Sequence, residues 1–130
     1  MSLPTAAVAA ERRGHYVVIW VTGELDVFNA ASIMAEMESE IPTDAHGAIV
    51  DLSAVGFLDS TAIRKLFGLA SRLTERRQRL ALATPEGSTV ARTLQLVEFS
   101  RAAPIHPRLD DALAALDAAD STSQSPDATV

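Results

Sequence analysis

A carboxylate and two hydroxyls stand in a row at Asp59-Ser60-Thr61, where a strand-like segment gives way to a helix-like one. The chemistry open to a hydroxyl there is acceptance of a phosphoryl group. The first backbone N–H groups of a helix lack intrahelical partners and the dipole is positive, so a phosphate is tolerated locally. A serine at that point is also easy for a partner to reach. Helix capping competes with this reading, because Asp59 and Ser60 are both favoured cap residues and capping is the commoner use of such a pair.

Hydrolytic and metal chemistry find less support. His15, His46 and His106 fall on predicted turns and strand ends, as solvated or capping residues, and no Gly-x-Ser-x-Gly elbow surrounds Ser60. There is no His-Glu-x-x-His run and no Gly-x-x-x-x-Gly-Lys-Ser/Thr loop. The chain has no cysteine, which excludes disulfides, thiolate ligands and a cysteine nucleophile. Glu24 and Asp26 beside Gly23 read as a solvated turn. The expectation is no catalytic residue, no metal and no cofactor.

The elements that must position Ser60 follow from periodicity. The run 47–52, Gly-Ala-Ile-Val-Asp-Leu, is short, apolar and partly β-branched, the pattern of a buried strand. After Ser60, apolar residues at Ile63, Leu66, Phe67, Ala70 and Leu73 predict an amphipathic helix. Upstream, Tyr16 to Thr22 is the clearest strand, and Arg13-Gly14 before it predicts a hairpin with residues 6–12. Asn29 is placed to cap a helix with Ala30, Ile33, Met34, Met37 and Ile41 on one side, closed by Pro42. Met34 and Met37 suit core packing better than a cofactor role.

Downstream, Leu80 to Ala83 predicts a strand, Ser88 to Val97 a helix, and Ala103-Pro104-Ile105 a short edge strand. Leu109, Ala112, Leu113 and Leu116 give a last helix. Strands alternating with helices imply parallel strands joined by helical crossovers, with the hairpin making the sheet mixed. The core is expected to hold Val18, Trp20, Ile49, Val50, Ile63, Phe67 and Leu82. Residues 118–130, rich in Ser, Thr, Asp and Pro, are expected to be a disordered tail behind a domain spanning 1–117. Deleting residues 120–130 is then expected to leave the thermal midpoint nearly unchanged.

Composition narrows the function. At 130 residues the chain suits a single domain. Its formal net charge of −6 argues against direct nucleic-acid binding, which needs a basic stripe. Arg76, Arg77 and Arg79 form the one dense basic run, at a predicted helix end where cations complement the dipole. Residues 1–11 lack the pattern of a signal peptide, and no stretch approaches the roughly 20 apolar residues of a membrane span. A cytoplasmic location is expected.

The order of elements, with Thr22-Gly23-Glu24-Leu25-Asp26 and Phe57-Leu58-Asp59-Ser60-Thr61-Ala62-Ile63, resembles the STAS family over roughly residues 15–116. More narrowly it is similar to the stand-alone bacterial anti-sigma factor antagonists. The resemblance implies an α/β domain with a mixed β-sheet of about four to five strands flanked by helices. It implies a protein that captures an anti-sigma factor and so frees a sigma factor. That partner is itself a serine kinase that inactivates its antagonist by phosphorylating the serine at the helix entrance. The motif match makes that serine Ser60, with Thr61 the lesser candidate, and matches Asp26 to a loop aspartate near the same surface.

The partner surface implied comprises Asp26, Asp59, Ser60, Thr61, Ala62 and Arg64. Arg64, one turn past Ser60, is placed to compensate a phosphate in part. Family members carry a Ser-Gly pair after the phosphorylated serine, where this chain has Thr61-Ala62. The departure is expected to put a methyl group where glycine lets a partner backbone approach. A STAS subunit of another assembly, in stress signalling or lipid transport, is the alternative function. The sequence sets no oligomeric state.

Overall fold

The computed structural model describes residues 6–123. Strands β1 (Ala6–Arg13) and β2 (Tyr16–Leu25) are followed by helix α1 (Ala30–Ser39), strand β3 (Gly47–Leu58) and helix α2 (Ser60–Glu75). Strand β4 (Arg79–Ala83), helix α3 (Thr89–Leu96), a 3-10 turn at Phe99–Arg101, strand β5 (Ile105–His106) and helix α4 (Leu109–Ser123) complete the order. The strands form one sheet in the order β1-β2-β3-β4-β5, with β1 antiparallel to β2 and the remaining neighbours parallel. This is the single-domain mixed α/β architecture expected from the sequence.

The hairpin turns through Gly14 and His15, with Gly14 at a φ of 61°, a left-handed conformation that glycine adopts without a Cβ penalty. The three central strands are apolar on both faces because both faces are covered. Val17, Ile19, Val21, Ala48, Val50, Leu80 and Leu82 face the layer that holds α1, α2 and α3. Tyr16, Val18, Ile49 and Ala81 face α4 through Ala112 and Leu116. Gly47 starts β3 where no side chain fits, since a Cβ there would lie 2.0 Å from the Arg79 carbonyl oxygen.

Several elements differ from their sequence-based outlines. Strand β3 does not stop at residue 52 but runs on to Leu58 beside β2. Register shifts between Trp20 and Thr22 and between Gly23 and Glu24 break the regular alternation that marks a strand. The short edge strand lies at Ile105–His106 and overlaps the predicted segment only at Ile105. Val18, Ile49, Val50 and Leu82 are buried as expected. Trp20, Ile63 and Phe67 are half-buried at the margins of the two cores. The inward stripe of α2 is Ala62, Leu66, Leu69, Ala70 and Leu73.

The domain boundary at 117 is corrected too, because α4 continues to Ser123. Its last turns are held by Asp120, whose carboxylate accepts from Tyr16 Oη at 2.7 Å and lies 2.9 Å from His46 Nδ1. Deletion from residue 120 therefore removes a packed anchor, contrary to the expectation of no effect. The rest of the predicted tail, residues 124–130, lies outside the described residues.

Candidate functional site

Strands β2 and β3 end side by side, and the two loops that leave their C-terminal ends make the site. The first loop, residues 26–29, is held by Asp26. Its Oδ1 accepts the N–H groups of Phe28 at 2.9 Å and Asn29 at 3.3 Å, and its carbonyl accepts from Ala30 N at 2.8 Å. Asn29 does not cap α1 through its side chain as predicted. Its amide instead bridges the loop, accepting from Asp26 N at 3.0 Å and donating to Glu24 O at 2.9 Å. A short polar side chain bonds nearby backbone as readily as it caps, which is why Asx residues favour such turns.

The second loop is Asp59 itself. With extended φ and ψ of −86° and 178°, it is the N-cap of α2, and its Oδ1 accepts from Ala62 N at 2.8 Å. The other oxygen, Oδ2, accepts from Val27 N at 2.8 Å, and Asp59 N donates to Leu25 O at 3.0 Å. One carboxylate thus caps the helix and ties the first loop to its entrance. The cap choice left open by the sequence falls on Asp59. Ser60, the first residue of α2, is exposed, and its hydroxyl makes no hydrogen bond among the described residues.

The other predicted site residues separate into two groups. Thr61 is half-buried, and Arg64 is exposed with no ion pair among the described residues. Ala62, predicted to meet a partner, is fully buried. Its Cβ belongs to the inward stripe of α2 and its N–H is taken by Asp59. The replacement of glycine by alanine therefore alters the core side of the helix, not the surface.

Sequence reasoning missed the apolar part of this surface. Phe28 is 94% exposed, Val27 58% and Phe57 46%, a set of large hydrophobic side chains around the Asp59 tie. A readable signal existed in Val27-Phe28, an apolar pair inside a segment predicted to turn. Apolar side chains grouped in solvent beside polar loops mark interaction surfaces. No group of three or more His, Cys, Asp or Glu residues able to hold a metal occurs among the described residues. No described helix is long and apolar enough to cross a membrane.

The histidines are less scattered than their sequence positions imply. His15 and His46 stack with ring centroids 4.1 Å apart, at the opposite end of β2 and β3 from Ser60. There burial pushes the Tyr16 phenol well above its ordinary value, and its hydrogen bond to Asp120 pushes the same way. Burial also raises Asp120, but hydrogen bonds from His46 and Tyr16, with the charges of His46 and Arg79, outweigh it and hold the carboxyl below the usual range.

The STAS domain family model matches residues 7–112. Comparison with curated protein sequences found no match. Among solved structures, the chain is similar to an anti-sigma factor antagonist from Mycobacterium paratuberculosis, with a TM-score of 0.76 and 26% identity over 88% of this chain and 97% of that one. It is similar to the anti-sigma factor antagonist SpoIIAA in its unphosphorylated form, with a TM-score of 0.61 and 20% identity over 92% of this chain and 100% of that one. The phosphorylated form of the Bacillus cell fate determinant SpoIIAA gives a TM-score of 0.62 and 22% identity over 85% and 99% of the two chains.

Proposed function

The chain belongs to the STAS domain family, and we propose that it is an anti-sigma factor antagonist switched by phosphorylation of Ser60. On this reading it acts in the cytoplasm and binds an anti-sigma factor that is a serine kinase. Val27, Phe28 and Phe57 supply apolar contact, and Ser60 presents its hydroxyl beside them. The observation that carries the proposal is the division of labour between Asp59 and Ser60. Because Asp59 does the capping, the Ser60 hydroxyl is left exposed for a partner.

The physics of the switch follows. Phosphorylation adds a charge of about −1.5 to −2 and three acceptor oxygens. These would lie next to the Asp59 carboxylate, in a chain of net charge −6. Within the domain the helix dipole and Arg64 offset the new charge, so the fold survives. Across an interface there is no such offset, and desolvating an unpaired anion is costly. Binding is lost while structure is kept, and no catalytic residue is needed in this chain. Support comes from the names of the similar structures, two of them called anti-sigma factor antagonists, and from one of a phosphorylated form.

The test is to incubate the protein with its kinase partner and ATP and to map the phosphate by mass spectrometry. A single phosphate on Ser60, abolished in Ser60→Ala, is expected. Labelling retained in Ser60→Ala but lost in Thr61→Ala would move the acceptor to Thr61. Absence of both labelling and binding would favour a STAS subunit serving another assembly.

A further inference from the structure

The two edges of the sheet are built differently. Strand β5 is two residues long and lies between Pro104 and Pro107, so it offers almost no backbone to another strand. Strand β1 is eight residues long, pairs with β2 without a register shift, and begins Ala6-Ala7-Val8-Ala9-Ala10. That run has no charge, no proline and no bulge, the devices by which proteins blunt an exposed edge. Its outer side carries no strand among the described residues.

The loop from β1 to β2 has two residues, Gly14 and His15, which makes Arg13 and Tyr16 a hydrogen-bonded pair. Bonded and non-bonded pairs alternate along an antiparallel ladder. Ala7, Ala9, Glu11 and Arg13 therefore direct their backbone groups to β2, while Ala6, Val8, Ala10 and Arg12 turn theirs outward. The side chains of Ala6, Val8 and Ala10 pack half-buried against the main core, and those of Ala7, Ala9 and Glu11 are exposed on the other face. The charges at the end of β1 are matched within the chain, Arg13 to Glu11 at 2.8 Å and Arg12 to Asp44 at 3.4 Å.

This outward set is evenly spaced about Ala9, so the edge is complementary to itself. Around a two-fold axis at Ala9, Ala6 meets the partner's Arg12 and Val8 meets the partner's Ala10. All four outward residues are then satisfied, with about eight backbone hydrogen bonds across the axis. On the exposed face Ala9 meets the partner's Ala9, and Ala7 meets the partner's Glu11. No like charges stand opposite one another, whereas an axis at Glu11 would oppose two carboxylates.

We propose that β1 pairs antiparallel with β1 of a second copy, centred on Ala9, joining two five-stranded sheets into one continuous sheet. The inference does not rest on the function proposed for Ser60. The test is sedimentation velocity on the full chain from about 10 µM to 1 mM, because one strand pair buries little area and gives a Kd on the order of 100 µM. A monomer at the low end and a dimer at the high end are expected. Amide exchange followed by NMR should slow at Val8, Ala10 and Arg12 as concentration rises. Ala9→Lys sets two ammonium groups opposite each other and should weaken the dimer about fivefold, although it lowers the net charge. Ala7→Lys, on the same exposed face, meets the partner's Glu11 and should keep or strengthen it. Both side chains are exposed, so the thermal midpoint at 10 µM, about the lowest concentration, should hold for both variants. The proposal is overturned by a monomer throughout, by equal dimer affinity in the two variants, or by protection that maps to Phe28 or Leu96 instead of β1.

Discussion

At the C-terminal ends of β2 and β3, Asp26 and Asp59 hold backbone N–H groups, while the hydroxyl of Ser60 and the rings of Phe28 and Phe57 stand in solvent. At the N-terminal ends of the same strands, Asp120 reaches back from α4 to side chains, Tyr16 at 2.7 Å and His46 at 2.9 Å. The first arrangement shapes loops and leaves a surface unpartnered, as an interface requires. The second joins a terminal helix to the sheet, as stability requires. Changes at the first end should therefore be read mainly in binding, and changes at the second mainly in the unfolding midpoint.

The largest effect is expected at Phe28. Phe28→Ala should weaken the anti-sigma partner by about 2 kcal/mol or more, roughly 30-fold in Kd, as truncation of a central aromatic anchor does. Because the ring is 94% exposed, the thermal midpoint should stay within the small range of surface substitutions. Calorimetry and thermal denaturation of the same sample check both halves. A lower midpoint with intact binding would invert the comparison.

Asp120→Ala should show the converse, a loss of about 2–3 kcal/mol in stability from removing a charged acceptor of two side-chain hydrogen bonds. Partner affinity should be unchanged. The pH dependence has a definite sign. The folded carboxyl of Asp120 lies below its ordinary range, so its contribution is present above about pH 4 and is lost as pH falls through the folded pKa. The stability gap between wild type and Asp120→Ala should narrow in acid. Tyr16 is shifted upward, so stability should also fall as pH rises above about 10. Denaturant titrations across pH check both limbs.

Asp59→Ala should affect both readouts. Loss of the α2 cap is expected to cost about 1–2 kcal/mol. Release of Val27 N should loosen the apolar loop and weaken binding by severalfold, measurable on the partner titration. The smallest effect is expected at Ala62. Ala62→Gly should destabilise α2 by about 1 kcal/mol or less in urea denaturation and leave affinity unchanged, since the methyl group faces the core.

The legibility of the two ends in the sequence differs for the same reasons. Periodicity exposed β2, β3 and β4 because burial on both faces leaves continuous apolar runs. It also exposed the entrance of α2, because Asp59 and the one-sided spacing after it act locally. The outer half of β3 was not legible, since its pairing follows register shifts in β2 that no local pattern of Ser53-Ala54-Val55-Gly56 announces. Asp120 was misread because its partners lie 104 and 74 residues away, and a lone aspartate in a polar stretch looks like tail. Ala62 was misread because a motif aligns residues without saying which face of a helix each one takes. Phe28 was passed over because exposure belongs to the fold, not to the residue.

The most direct test of the proposed switch is a calorimetric titration of the proposed anti-sigma partner with wild type, Ser60→Ala and Ser60→Asp, with circular dichroism on each. A carboxylate at the first turn of α2 is favourable by about 0.3–1 kcal/mol within the domain, so all three spectra should agree. Ser60→Ala should bind like wild type, and Ser60→Asp should bind at least about tenfold more weakly. Equal affinity for all three variants would contradict the account and remove Ser60 from the interface.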